Sequence, residues 1–254
     1  MSRFPPDSPR VDAVTPSPNH EARAGDVRPD ILLLHYTGMS STDDALRRLC
    51  DETAKVSSHY LVFEDGRIVQ LVPESRRAYH AGVSSWEGAS DINSRSIGIE
   101  IGNQGHDFGA PGFPDAEISA VIALCQDIVG RWAIAPSRVL GHSDVAPGRK
   151  RDPGETFPWR RLAEAGVGLW TEPEPIVGGE SLAPGHRGEK VADLQRALSD
   201  YGYGVDVTGR YDDTTKEVVA AFQRHFRPAR VDGFADPSTV QTLKKLLAAK
   251  KTIE

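Results

Sequence analysis

The sequence predicts an α/β protein, a mixed central β-sheet flanked by helices, followed by a small C-terminal bundle of three helices. Three observations carry that expectation. Up to about residue 170, short apolar or alternating runs take turns with amphipathic helical patterns, as the strands and covering helices of one layered domain do. The composition then shifts. "TEPEPIVGGESLAPG", residues 171–185, holds three prolines and three glycines with no period, which is how a linker reads. Beyond it, residues 186–251 give three amphipathic helical patterns joined by Gly-containing turns, enough chain for a small independent bundle.

Residues 1–27 carry five prolines and scattered charges, so they read as a poorly ordered, extended arm lying along the surface, with too little apolar content for a core of its own. The α/β domain is expected over residues 28–170. "DILLLHYTG" is a short apolar run that reads as a central strand. In "SSTDDALRRLC", Ser41 or Thr42 caps a helix whose first turn carries Asp43 and Asp44, and Ala45, Leu46, Leu49 and Cys50 form its apolar stripe. Two β-rich runs around Asp65-Gly66 predict a hairpin. "SRSIGIEIGN" alternates: Ile97, Ile99 and Ile101 face one side, Ser96, Gly98 and Glu100 the other. A long helix follows Pro114, with Ile118, Val121, Ile122, Cys125, Val129 and Trp132 as its stripe. "SRVLGH" is a short strand feeding a loop. In the last segment Asp212 and Asp236 are N-caps, the latter with Pro237 at the first helical position.

The chain has 254 residues, 39% hydrophobic and 26% charged, with a net charge of −6. A negative balance argues against a nucleic-acid partner, which needs a basic face. No apolar run approaches the roughly 18–20 residues of a membrane span. The N-terminus shows no apolar h-region, which favours a cytoplasmic location, with a periplasmic one as the alternative. Cys50 and Cys125 are the only cysteines, too few for a disulfide framework. A monomer is expected.

The chemistry concentrates in "GHSDVAPGRKRDPG", residues 141–154: one histidine, two aspartates, three basic residues, two prolines and three glycines with no regular period. Loops on a rigid scaffold are where reacting groups gather. His142 and Asp152 are candidate ligands of a divalent metal. A catalytic zinc needs three protein ligands and an open position, and His35 supplies the third, at the C-terminal end of a strand, where open α/β sheets place their sites. Glu100, on a strand whose other face is all isoleucine, is the candidate general base. Lys150, two residues before Asp152, would stabilise an oxyanion.

These residues also carry a resemblance. "ILLLHYTG", "SSHYLV…DGRIVQLV", "AYHAG", "SIGIEI" and "GHSDVAPGRKRDPGETFPW" resemble, in the same order over residues 28–170, the zinc-dependent type-2 N-acetylmuramoyl-L-alanine amidases, which are related in fold to peptidoglycan recognition proteins. "RGEKVADLQRAL", "GRYDDTTKEVVAAFQ" and "VDGFADPSTVQTL" resemble the three-helix peptidoglycan-binding domain that accompanies wall hydrolases. The resemblance implies Zn²⁺ on His35, His142 and Asp152, with Glu100 as base and Lys150 at the oxyanion. It implies cleavage of the amide between the lactyl group of N-acetylmuramic acid and L-Ala, in peptidoglycan or muropeptide fragments. Tyr36, His80, Asn93 and Arg95 lie where such enzymes contact substrate. Two features depart from the family's habit. The chain lacks the signal or lipoprotein cysteine of periplasmic members, and "RGEK" stands where the small domain usually has Gly-Asp, leaving open whether that domain holds glycan or only docks. A non-catalytic wall-binding protein on the same fold is the competing expectation. A stem-peptide metallopeptidase is disfavoured by the absence of an H-E-x-x-H helix.

Overall fold

The computed structural model describes residues 4–253; residues 1–3 of the expected arm lie outside them. In chain order the elements are β1 (Ala13–Val14), β2 (His20–Ala22), β3 (Ile31–Tyr36), α1 (Thr42–Leu49), β4 (Tyr60–Val62), β5 (Ile68–Gln70), β6 (Arg76–Ala78), α2 (Ile92–Arg95), β7 (Ser96–Ile101), α3 (Asp115–Trp132), β8 (Val139–Gly141), α4 (His142–Val145), α5 (Trp159–Glu164), α6 (Glu189–Tyr201), α7 (Asp213–Phe226) and α8 (Pro237–Ile253). The main sheet runs β1-β5-β4-β7-β3-β8. It is mixed: β4, β7, β3 and β8 are parallel, while β5 returns antiparallel to β4 through the Asp65-Gly66 turn.

Alternation along the central strands sorts the core into layers. Leu32, Leu34, Ile97, Ile99, Ile101, Tyr60 and Val62 face α3, where Ile118, Val121, Leu124, Cys125 and Ile128 are buried against them. The helix therefore turns Leu124 and Ile128 to the sheet and leaves Ile122, Val129 and Trp132 only partly covered, a rotation from the expected stripe. The opposite face has two separate covers. Leu61, Val69 and Leu71 pack with Leu49 of α1. Ile31, Leu33 and Leu140 pack in one continuous cluster with Val191, Leu198, Tyr203, Phe222 and Leu246 of the C-terminal bundle. A cleft opens beside α1, above the C-terminal ends of β3 and β7.

The C-terminal helices are thus not merely tethered. Trp86, fully buried, packs edge-on against Tyr201 and Tyr203 with ring centroids 5.8 and 5.1 Å away. Gly202 makes that approach possible, since a Cβ there would lie 2.5 Å from the indole. The caps form as expected: Ser41 accepts from the Asp44 amide, Asp212 from Thr215 and Asp236 from Thr239. The arm is built into the fold. β1 extends the sheet edge beside β5 and β2 pairs antiparallel with β6. The half-buried Arg23 gives its guanidinium to the carbonyls of Glu74, Ser94 and Ser96. Those side-chain and ladder bonds, invisible in composition, order a segment with little apolar surface. Among the described residues no helix is long and apolar enough to cross a membrane.

Candidate metal centre

His35 and Glu100 are register partners on the parallel strands β3 and β7, so the pleat directs both side chains to the cleft face. His142 opens α4 directly after β8, the strand on the other side of β3. Asp152 closes the loop that follows, and its carbonyl accepts from the Ser143 amide at 3.0 Å. The result is a tight triangle. His35 Nδ1 lies 2.9 Å from His142 Nδ1, and Asp152 Oδ2 lies 3.0 Å from each. All three residues are buried.

The remaining imidazole nitrogens show what the triangle is for. His142 Nε2 lies 3.0 Å from the Ala81 carbonyl and must donate to it. In the neutral ring Nδ1 then carries a bare lone pair, and it faces a carboxylate oxygen. His35 Nε2 lies 3.0 Å from His80 Nδ1. Burial, then the neighbouring His142, push His35 down to about 4, with Asp152 opposing. Neutral imidazole is the form that binds metal. Burial would raise the Asp152 carboxyl, but His142 and His35 more than reverse this and hold it well below the usual range. Lone pairs and one carboxylate thus converge on a point with no proton to separate them all. A divalent cation resolves that conflict. Tetrahedral zinc with bonds of about 2.0–2.1 Å sets its ligand atoms about 3.3 Å apart, close to the spacing found. Among the described residues this is the one such group of three histidine, cysteine or acidic side chains.

His80 serves the ligand set from behind. Its ring lies flat against β7 because residue 98 is glycine: a Cβ there would stand 2.5 Å from His80 Nδ1. Its other nitrogen faces Ser96 Oγ at 3.3 Å. Outer partners of this kind fix a ligand's ring orientation.

Glu100 lies in the same cleft with Oε2 shielded from solvent and without a hydrogen bond. Burial, then the Asp152 charge, raise its carboxyl well above the usual range, with Lys150 offsetting part. A carboxylate raised toward neutrality is suited to proton transfer. Lys150 lines the same cavity of about 580 Å³, as do Tyr36, His80 and three cations that sequence inspection did not single out, Arg48, Arg149 and Arg151. Arg149 donates to the carbonyls of Ala81 and Val83, joining the ligand loop to the loop that carries the His142 partner. Tyr36 OH pairs with His106 Nδ1 at 2.9 Å, and His106 Nε2 meets Glu155 at 3.0 Å.

Asn93 and Arg95, expected near substrate, do not line the cavity. Asn93 Oδ1 accepts from the amides of His80 and Ala81, pinning the segment behind the ligands. Arg95 is paired with Asp30 below the start of β3. Their place in the motif is adjacent to the site, but α2 turns both side chains away from the cleft.

Comparison with known proteins agrees with this geometry. The profile of the family described as N-acetylmuramoyl-L-alanine amidase matches residues 25–155, and that of a peptidoglycan binding domain matches residues 187–243. The N-acetylmuramoyl-L-alanine amidase AmiD of Escherichia coli K12 is 40% identical over 242 residues, covering 89% of this chain and 85% of its own. The 1,6-anhydro-N-acetylmuramyl-L-alanine amidase AmpD of Enterobacter cloacae is 35% identical over 166 residues, 58% of this chain and 86% of its own. A solved structure of E. coli AmiD with the substrate anhydro-N-acetylmuramic acid-L-Ala-D-gamma-Glu-L-Lys superposes with a TM-score of 0.75 at 38% identity, covering 92% of this chain and 94% of that one. AmpDh3 of Pseudomonas aeruginosa in complex with anhydromuramic pentapeptide gives a TM-score of 0.70 at 31% identity, with coverage of 91% and 95%. With a layered sheet, a converging His-His-Asp triangle and two matched segments in register with both halves of the fold, the chain belongs to the N-acetylmuramoyl-L-alanine amidase family.

Proposed function

We propose that the protein hydrolyses the amide between the lactyl group of N-acetylmuramic acid and L-Ala of the stem peptide in anhydromuropeptides, with zinc held by His35, His142 and Asp152. The observation that carries this is the triangle of ligand atoms 2.9–3.0 Å apart with Glu100 beside it on the neighbouring strand. A zinc ion there supplies Lewis acidity and makes water acidic enough to react near neutral pH. The rest is done by the chain. Glu100 takes a proton from the attacking water and returns it to the departing amine of L-Ala, so that a lactyl carboxylate and a free amine are released. The Lys150 ammonium faces the oxygen on which negative charge develops. His80 and the Ala81 carbonyl keep the two imidazoles oriented through the reaction.

Substrate class follows from the cleft. A volume of about 580 Å³ lies in the range that holds a sugar–peptide fragment. Its rim carries Arg48, Arg149 and Arg151, although the chain as a whole is acidic, which suits the carboxylates of a stem peptide. A second cavity of about 400 Å³, lined by Leu182, Leu194, Val240 and Lys244 among others, gives the C-terminal helices an apolar groove with a polar rim and supports a wall-contacting role for them.

Purified anhydromuropeptides and intact sacculi, incubated separately with the zinc-loaded protein and resolved by mass, test the proposal. The expected product is the intact stem peptide with a free N-terminal Ala, formed faster from the fragments. Cleavage inside the stem peptide, or binding without any product, would overturn it.

A further inference from the structure

The candidate ligand loop, residues 141–154, is held on one side by the Ala81–Ser85 segment of its own domain and on the other by the C-terminal bundle, which reaches the loop or its flank at three points. The first is Asp144, which is fully buried two residues beyond His142. Its Oδ2 accepts from the Gly141 amide at 2.7 Å, closing the turn that presents His142. The same oxygen lies 2.7 Å from His225 Nδ1, and its Oδ1 accepts from Tyr203 OH at 2.7 Å. Both partners belong to the C-terminal bundle, Tyr203 just past α6 and His225 on α7, and both are buried. The His225 ring is itself immobilised, stacked between Trp159 and Phe226 with ring centroids 3.7 Å away on each side. The second point is Glu217, packed so tightly over Gly148 that a Cβ there would collide with its carboxylate. The third is Arg224, 4.0 Å from Glu155, which holds His106 and through it Tyr36 at the cleft.

We infer that Tyr203 and His225 are positioning residues of the metal centre: the C-terminal bundle holds the ligand loop in its binding geometry through the carboxylate of Asp144. A buried carboxylate with three donors is rigid, because losing any one leaves charge desolvated and unmet. Here the donors come from both halves of the chain, so the turn that aims His142 is fixed only when the bundle is seated. The bundle then has a part in the chemistry besides any contact with wall glycan.

This inference rests on the proposal that His35, His142 and Asp152 hold zinc, and the test separates the two. Zinc affinity of the full-length chain is measured by competition with a chromogenic chelator, for wild type, Tyr203→Phe, His225→Gln and Lys250→Met. Lys250 donates to Glu87 and to the Tyr201 carbonyl on the same interface, away from the loop, so its variant reports loss of docking stability alone. Tyr203→Phe and His225→Gln are expected to weaken zinc binding about 10-fold, the lower end of what partners behind ligands contribute. They should also lower kcat on a small soluble muropeptide with KM unchanged. Lys250→Met should lower the melting temperature yet keep wild-type zinc affinity and kcat. Equal zinc affinity in Tyr203→Phe, His225→Gln and wild type would overturn the inference, as would an equal loss in Lys250→Met. If wild type itself took up no zinc, the ligand assignment would fall instead.

Discussion

The candidate metal centre is assembled from two kinds of structure, and they are held in place differently. His35 and Glu100 stand on adjacent strands, where the ladder fixes both backbones and the pleat fixes both directions. His142, Lys150 and Asp152 stand on a segment whose shape depends on groups as distant in sequence as the Ala81 carbonyl and the His225 imidazole. Strand-borne groups are positioned by local sequence alternation. Loop-borne groups are positioned by contacts that span the whole chain. Perturbing the two halves should therefore fail in different ways.

The largest effect is expected from the loop side. Asp152→Ala removes one ligand and leaves two imidazoles, so metal analysis should find little bound zinc and activity should fall to background; normal zinc content in that variant would refute the ligand set. On the strand side, Glu100→Gln should keep its metal and lose about 10²–10⁴ in kcat, the usual worth of a general base. Full turnover by this variant would show that another group takes the proton. Smaller, and confined to stability, is Trp86→Ala at the seam between the two halves. Emptying a buried indole site costs about 3–5 kcal/mol, readable as a shift in the denaturant midpoint.

The smallest effect concerns Glu117, at the start of α3 and away from the cleft. It is fully buried with no hydrogen bond of good geometry to either oxygen. Burial, then the nearby Glu64, push its carboxyl up to about 8, and the Gly102 amide offsets only part. That amide is already given to Val62. The folded-state value lies above the unfolded value of about 4.5. Its contribution to stability is therefore fully present below about pH 4.5 and is lost as pH rises through about 8. Subtracting the melting curves of Glu117→Gln from those of wild type between pH 5 and 9 should reveal that slope; a flat difference would show that Glu117 is ionised in the fold.

The same contrast explains what could be read from the sequence. Strand positions were legible because period two assigns each residue a face: Ile97, Ile99 and Ile101 to the core, Glu100 to the site. The hairpin and the helix caps were legible because turn and cap chemistry is local. The candidate ligands on the loop could be named from residue type and motif, but not what steadies them. Asp144 was visible as one acid among several, and its partner His225 lies 81 residues away. His80 lines the cavity and also sits behind His35, a contact the motif did not reveal. Asn93 and Arg95 adjoin the cleft in sequence, and their observed partners, the His80 and Ala81 amides and Asp30, could not be read from the motif. The arm looked too polar to order itself, and it is ordered by bonds to carbonyls that only the finished fold brings together.

The back of β3 has a consequence for how this enzyme comes apart. Ile31 and Leu33, on the strand that carries His35, bury themselves against helices that begin more than 150 residues later. Detaching those helices would bare the strand directly beneath the reacting groups. On heating, the N-terminal and C-terminal halves should therefore be lost together in one calorimetric peak, as a single cooperative unit.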